Sequence, residues 1–272
     1  MCVREKCECP LFYGKISYTI DLISTEITVS SPMPPKEIAI QGTHDMALEH
    51  VQSLFSPSKD VVILDFGAGQ GALSLRLHDL GYTVKACDYF PDDFQVENIE
   101  CRKSGDDLKI PYDDDSFDLV IAVELVEHID GHLTFFKEVQ RTLRKGGKFL
   151  LTTPNILSLK SRILFLFTGY FYSFNSLNPD VHDPVSQHLA PFTLDRYRFI
   201  LQRAGLKLIR IHTDKLQSSS KFLLFLYPLI KLVSRMKFGE NPRVTEQNSL
   251  TMLLGRKIIL VSEKNTPTTE KI

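Results

Sequence analysis

From Pro57 onward the chain alternates compact apolar runs with segments whose apolar residues recur at helical spacing. The runs are VVILDF at 61–66, YTVKACDY at 82–89, NIECRK at 98–103, FDLVIAVE at 117–124, KFLLTTP at 148–154, LKLIRIHT at 206–213 and KIILVSE at 257–263. Runs nearly continuous in Val, Ile and Leu suit strands covered on both faces, so they predict a mostly parallel sheet between two helical layers, an α/β fold. Helical spacing marks 72–79, 133–143 and 194–204, each closing near a glycine. Only the stretch 90–97 separates the second and third strands, too short for a full crossover helix, which predicts a turn in its place.

Two segments stand outside this alternation. Residues 156–191 follow the fifth strand and hold LKSRILFLFTGYFYSF; residues 215–250 separate the last two strands and hold KFLLFLYPLIKLVSRMKF. Residues beyond the carboxyl ends of the strands line the ligand crevice of an open sheet, so both insertions are expected to act as lids. Upstream, 43–55 has helical spacing with a Thr or Asp available as N-cap, and SPMPP at 31–35 breaks the chain. The expected organisation is an N-terminal arm or hairpin over 1–42, a main domain over 43–264 with insertions 156–191 and 215–250, and a disordered tail over 265–272.

Composition narrows this only a little. The 272 residues are 43% apolar, enough to bury one substantial core. A net charge of -1 argues against a dedicated polyanion binder, so nucleic acid is not an expected partner. Five cysteines, an odd number, give no disulfide framework and suit a reducing compartment. Cys2, Cys7 and Cys9 crowd the start, where a metal or redox role competes with a solvated arm. MCVREKCECP lacks the apolar run of a signal peptide, which argues for a cytoplasmic protein.

The stretch ILDFGAGQGA places Asp65, Gly67, Gly69 and Gly71 between a strand and a helix. Glycines are needed where the chain turns sharply and a ligand touches backbone. The turn fits D-x-G-x-G-x-G and, with Ala72 counted, the dinucleotide fingerprint as well. Asp88, ending the second strand, suits the paired hydroxyls of a ribose in either case. Asp65 tips the balance, because it would repel a nearby pyrophosphate but suits a ligand carrying an ammonium and a sulfonium. Downstream, Asp106 and Asp107 close the third strand, and LRKGGKFLLTTPN sets a Gly-Gly turn before the fifth.

In this order the elements resemble the class I S-adenosylmethionine-dependent methyltransferases, over 61–155 and again at H-x-x-x-F-T and LQRAGLK within 188–207. The resemblance implies a Rossmann-like doubly wound sheet of seven strands, the last antiparallel, with S-adenosylmethionine as cofactor and S-adenosylhomocysteine as product. It implies that Gly67, Ala68, Gly69 and Gly71 lie against the methionine moiety with Asp65 near its amino group. Asp88 would hold the ribose and Tyr89 would pack by the adenine. Asp106 or Asp107 would accept from the exocyclic amine beside Leu108, and Glu124 would border the same site.

ELVEH puts Glu124, Glu127 and His128 at i, i+3 and i+4, on one face if the segment is helical. A carboxylate and an imidazole there suit deprotonation of a hydroxyl, or a divalent ion that lowers its pKa. The arrangement is similar to that of ubiquinone-pathway O-methyltransferases and small-RNA 3'-end 2'-O-methyltransferases. That likeness implies Glu124, Glu127, His128 and a later histidine as metal ligands, His188 matching best and His182 second. The plainer alternative is that Glu127 and His128 cap a helix and bond the loop; His132 reads as a surface helix residue.

The run 222–230, kinked at Pro228 and followed by Lys231, Arg235 and Lys237, is shorter than the about 20 residues a bilayer span needs. It suits an interfacial position over 222–238, at the inner face of a membrane, or a lid packed on the sheet or on a second subunit. Both insertions point to a small-molecule, glycan or lipid-linked acceptor, such as a quinone precursor or a polyprenyl-linked sugar. TPNxLSLxSR at 153–162 resembles methyltransferases of surface-polysaccharide clusters. The expected reaction is O-methylation. The alternatives are an RNA 2'-O-methyltransferase using Lys160, Arg162, Arg196, Arg198 and Arg203, an NAD(P)-dependent oxidoreductase, or a non-catalytic scaffold of the same fold.

Overall fold

The computed structural model describes residues 34–181 and 185–265. Cys2, Cys7, Cys9, His182, most of the expected arm and the tail after Asn265 lie outside the described residues. The strands are β1 Val62–Phe66, β2 Thr83–Asp88, β3 Cys101–Lys103, β4 Phe117–Val123, β5 Leu143–Pro154, β6 Leu206–Thr213 and β7 Lys257–Lys264. They form one sheet in the order β3-β2-β1-β4-β5-β7-β6, parallel throughout except for β7, which runs antiparallel to β5 and β6. The order reverses between β1 and β4, so a crevice opens at their carboxyl ends.

The helices are α1 Thr43–Leu54, α2 Ala72–Asp79, α3 His132–Thr142, α4 Leu159–Thr168, α5 Leu194–Arg203, α6 Ser218–Phe222, α7 Tyr227–Phe238, α8 Pro242–Gln247 and α9 Leu250–Leu254. Successive strand residues point to opposite faces, so each central strand feeds two cores. Ile63, Leu119 and Ile121 pack with Val51 of α1 and with Leu73 and Leu77 of α2. Leu64, Val120 and Ala122 pack on the other side with Phe135 and Phe136 of α3 and with Tyr197 and Leu201 of α5. At about 1.5–3 kcal/mol for each fully buried large apolar side chain, these two layers hold the sheet flat against its helices.

The short crossover after β2 is a 3-10 turn, Pro91–Asp93, as its length requires. The strand after α3 begins earlier than its apolar pattern suggests. Phe117 pairs with Leu143 and Leu119 with Lys148, so residues 144–147 form a bulge in which Gly146 takes φ 75°. A Cβ on Gly147 would lie 2.8 Å from the Arg144 carbonyl, which is why that bulge carries a Gly-Gly pair. His132, expected on the surface, is instead buried at 3% exposure among Phe136, Phe192 and Tyr197. Burial pushes its pKa down to about 4, so the ring is neutral at physiological pH.

One buried charge ties the sheet to its first helix. Lys257, at the start of β7, is 2% exposed; its Nζ lies 2.7 Å from Glu124 Oε2 and donates to Thr43 Oγ1 at 2.9 Å. Arg256 beside it pairs with the buried Asp214, whose other oxygen accepts from the Lys257 N–H at 2.9 Å. Breaking a buried pair by removing one partner strands the other charge, at a cost of about 3–5 kcal/mol. Lys257→Met should therefore lower unfolding free energy in urea by about that amount, and adding Glu124→Gln should restore most of it; a loss under about 1 kcal/mol in the single variant would contradict this role.

Candidate active site

The glycine loop joins β1 to α2 in left-handed backbone: φ is 80° at Gly67, 53° at Gly69 and 92° at Gly71. It is packed from both sides. A Cβ on Gly71 would meet Phe94 and Val96 at 2.7 Å, and one on Gly67 would meet Leu125 at 2.9 Å, so neither position has room for a side chain. The loop is pinned to β2, since Gly67 N–H donates to the Cys87 carbonyl at 2.8 Å and Gly69 N–H to Asp88 Oδ2 at 2.8 Å. Asp88 Oδ1 accepts from Phe90 N–H at 2.8 Å. Two amide bonds thus fix the Asp88 carboxylate over the loop, and each oxygen keeps a lone pair for a vicinal diol. Residues 36–38 cross the same loop: Lys36 N–H bonds the Gln70 side chain at 2.9 Å, and Ile38 lies over Gly69.

Asp65 is 2% exposed and meets the hydroxyl of Ser74, which donates at 2.6 Å. Burial raises its pKa to about 6, and the nearby Asp88 carboxylate adds to the rise. A buried carboxylate with a hydroxyl but no cation beside it among the described residues is what an incoming ammonium would complete, so the residues fit a ligand with an amino group at this point.

The paired acids after β3 behave differently. Asp107 folds back into its own turn, its Oδ1 accepting from Lys109 N–H at 3.1 Å. Asp106 lies beside Tyr89 and raises the pKa of its phenol. Leu108, next in the chain after Asp107, takes φ 63° and reaches Gly131. Asp106 is thus the acid presented beside Tyr89.

Beyond β4 the expected helical face over 124–128 does not form. Glu124 adopts left-handed backbone, φ 52°, and only Val126–His128 makes a 3-10 turn. Glu124 therefore turns away to Lys257 and Thr152, which donates to Oε1 at 2.9 Å. Of the four residues expected to converge, the structure brings together Glu127, His128 and His188, each with a ligand atom within 4.8 Å of the others. The two imidazoles meet edge to face at 4.7 Å, and His128 Nδ1 lies 2.9 Å from the Gln187 carbonyl. A carbonyl only accepts, so Nδ1 carries the proton and Nε2 is the basic nitrogen of the neutral ring.

Glu127 is fully buried, and neither carboxylate oxygen has a hydrogen-bond partner among the described residues. Burial, with Glu124 nearby, holds its pKa well above the usual carboxylate range. Thr153, from the TPN stretch, and Tyr197 bring buried hydroxyls beside Glu127 that make no hydrogen bond of good geometry among the described residues. Unpaired buried polar atoms are costly, so this group is suited to a guest that supplies hydrogen bonds or charge. Of the basic residues expected near the cleft, Arg198 pairs with Glu246, and Arg196 and Arg203 lie over the Phe199 ring.

The family described as "Methyltransferase domain" matches residues 40–211. The chain is 31% identical over 142 residues to the ubiquinone biosynthesis O-methyltransferase of Pelagibacter ubique, covering 49% of this chain and 58% of that protein. It is 30% identical over 177 residues to the enzyme of the same description from Dinoroseobacter shibae, covering 61% and 68%. A sterol 4-C-methyltransferase of Caenorhabditis elegans is 27% identical over 135 residues, covering 44% and 39%. Among solved structures, an S-adenosylmethionine-dependent methyltransferase from Archaeoglobus fulgidus superposes with TM-score 0.53 at 17% identity over 81% of this chain and 92% of that one. The YcgJ protein of Bacillus subtilis gives 0.51 at 18% over 82% and 100%. Those two show a shared fold.

The raised Asp65 pKa has a consequence for stability. Because the folded value lies above the unfolded 3.8, the group favours the folded state fully below pH 3.8 and loses that contribution as pH rises through about 6. A shift of about 2 units corresponds to about 3 kcal/mol. Asp65→Asn should therefore unfold at higher urea than the wild type at pH 8 without ligand, and at nearly the same urea at pH 4. Equal differences at both pH values would contradict it.

Proposed function

Because the chain belongs to the class I S-adenosylmethionine-dependent methyltransferases, we propose that it methylates a hydroxyl oxygen of a lipid-like or lipid-linked acceptor, with His128 as the base. The observation that carries this reading is the juxtaposition of Glu127, His128 and His188 with the glycine loop: Leu125, three residues before His128, abuts Gly67. Relatives named for ubiquinone biosynthesis and for a sterol support a hydrophobic acceptor.

Bound S-adenosylmethionine supplies an already electrophilic methyl group on a sulfonium, so the protein has to position, orient and deprotonate. Asp65 would pair with its ammonium, Asp88 would accept from its ribose hydroxyls, and Asp106 with Tyr89 would border its adenine. The Gln187 carbonyl fixes the tautomer of His128 so that Nε2 takes the acceptor's proton. A positive charge on His128 or on a neighbouring guest would lower the raised pKa of the buried Glu127 and favour its ionised form. Its low-dielectric surroundings make that response strong.

Glu127, His128 and His188 also fit a divalent ion, which would ionise Glu127 and acidify a bound hydroxyl. Glu124 is committed to Lys257 and is not part of that set. Nothing in the site favours a nicotinamide cofactor or RNA.

Methyl transfer from labelled S-adenosylmethionine into the solvent-extractable fraction of a host lysate tests the reading. His128→Ala should cut the rate by about 10²–10⁴-fold while S-adenosylhomocysteine binding stays within about twofold. A rate within about twofold of wild type, or label found only in protein or RNA, would overturn it. For the ion, chelator should slow the wild type and leave Glu127→Ala unaffected; an unchanged wild-type rate removes the metal.

A further inference from the structure

Helix α7 is apolar on nearly every side, yet only one face is covered. Tyr227 and Ile230, with Leu223 just before the helix, pack toward Leu159, Leu253 and Leu254. The opposite stripe, Leu229, Leu232, Val233 and Met236 at i, i+3, i+4 and i+7, stands in solvent, Met236 at 78% exposure. Phe222 and Phe225 extend it upstream at 85% and 70%. Helix α4 does the same with Phe165, Leu166 and Phe167, the last 79% exposed. A helix that is apolar all round is normally buried, and these two are not.

The polar frame around them is one-sided. Stretches 157–178 and 217–239 contain Lys160, Arg162, Lys221, Lys231, Arg235 and Lys237 without a single Asp or Glu, in a chain whose 33 acidic and 32 basic residues balance as a whole; of the six, Arg235 pairs with Glu240 just beyond. Between the helices runs a groove of about 440 Å³ whose lining includes Ile163, Leu166, Leu229 and Arg162. The Arg162 guanidinium donates to the carbonyls of Leu157 at 2.8 Å and Gln247 at 3.3 Å and has no acidic partner among the described residues. An uncompensated cation at an apolar groove matches a phosphate joined to a hydrocarbon chain.

We propose that the outer faces of α4 and α7 form one docking surface for an anionic phospholipid bilayer, aromatic and aliphatic side chains entering the acyl boundary while the cations meet headgroup phosphates. No helix of the described residues is long and apolar enough to cross a membrane, so the contact lies in the interface plane. A second copy of the same face is disfavoured, because a two-fold contact would bring the same cations together. The surface also leads to the candidate active site. Phe165 stacks on Phe171 at 4.4 Å, the Phe171 carbonyl accepts from Phe174 N–H at 3.0 Å, and Phe174 lies 5.3 Å from His188.

Flotation of the full chain with vesicles tests this without any methyl donor, so its outcome is independent of the methyl-transfer reading. The wild type should bind phosphatidylcholine vesicles containing phosphatidylglycerol at least about tenfold better than phosphatidylcholine alone, and less well at high salt. Phe167→Asp with Met236→Asp should cost about tenfold or more. Lys231→Gln with Lys237→Gln, at exposed positions, should cost several-fold and decides the matter if the aspartate pair lowers Tm. The proposal is overturned if the wild type does not bind, if it shows no preference for the anionic lipid, or if both variant pairs bind as wild type, which would assign binding elsewhere in the chain. It is equally overturned if the aspartate pair dissolves a dimer that never bound vesicles.

Discussion

The ion pair between Lys257 and Glu124 is the constraint around which the candidate site is arranged. It spans the sheet from the start of β7 to the end of β4 and also takes in the first residue of α1. To reach Lys257, Glu124 accepts a left-handed backbone that costs a non-glycine residue on the order of 1–3 kcal/mol. That reversal ends β4, sends the next residues into a tight turn, and aims Glu127 and His128 toward His188 instead of along one helical face. The pair also leaves a carboxylate near Glu127, which adds to the upward push that burial gives the Glu127 pKa. Strand termination, loop geometry and site electrostatics here share one cause.

Much of this was legible in the sequence because it is local. The alternation of apolar runs marks strands through side-chain periodicity alone, and the loop at Gly67, Gly69 and Gly71 announces itself because three left-handed positions in five residues leave few alternatives to glycine. The short β2–β3 link limits its own structure by length. What stayed hidden depends on distant partners. Lys257 stands directly before the apolar run Ile258–Val261, a signal that it is buried, but Glu124 and Thr43 lie far away in the chain. His132 has a surface-like neighbourhood in sequence; Phe192 and Tyr197, which cover it, arrive only with α5. Tyr197 belongs to no motif, and Thr153 sits in the TPN stretch without a marked role; both become notable only because their buried hydroxyls have no hydrogen-bond partner of good geometry among the described residues.

The two halves of the crevice are built on different principles. On the donor side the frame is already held: Asp88 by two backbone N–H groups and the loop between Leu125, Phe94 and Ile38, with Asp65 left for an incoming ammonium. On the acceptor side, both oxygens of Glu127 lack a hydrogen-bond partner among the described residues. A rigid cradle costs little to occupy, whereas a group of unsatisfied atoms draws a guest that brings charge or hydrogen bonds. The exposed helices α4 and α7 extend the acceptor side to the surface, in keeping with an acceptor that arrives from an apolar phase.

The central claim is that the loop and Asp88 hold the methyl donor, and calorimetric titration of S-adenosylhomocysteine into the wild type and Asp88→Ala tests it most directly. One molecule should bind per chain, the variant should bind at least about tenfold more weakly, as expected on losing hydrogen bonds to a charged group, and NAD should give no heat. Absence of binding, unchanged affinity in Asp88→Ala, or saturable binding of NAD would contradict the account.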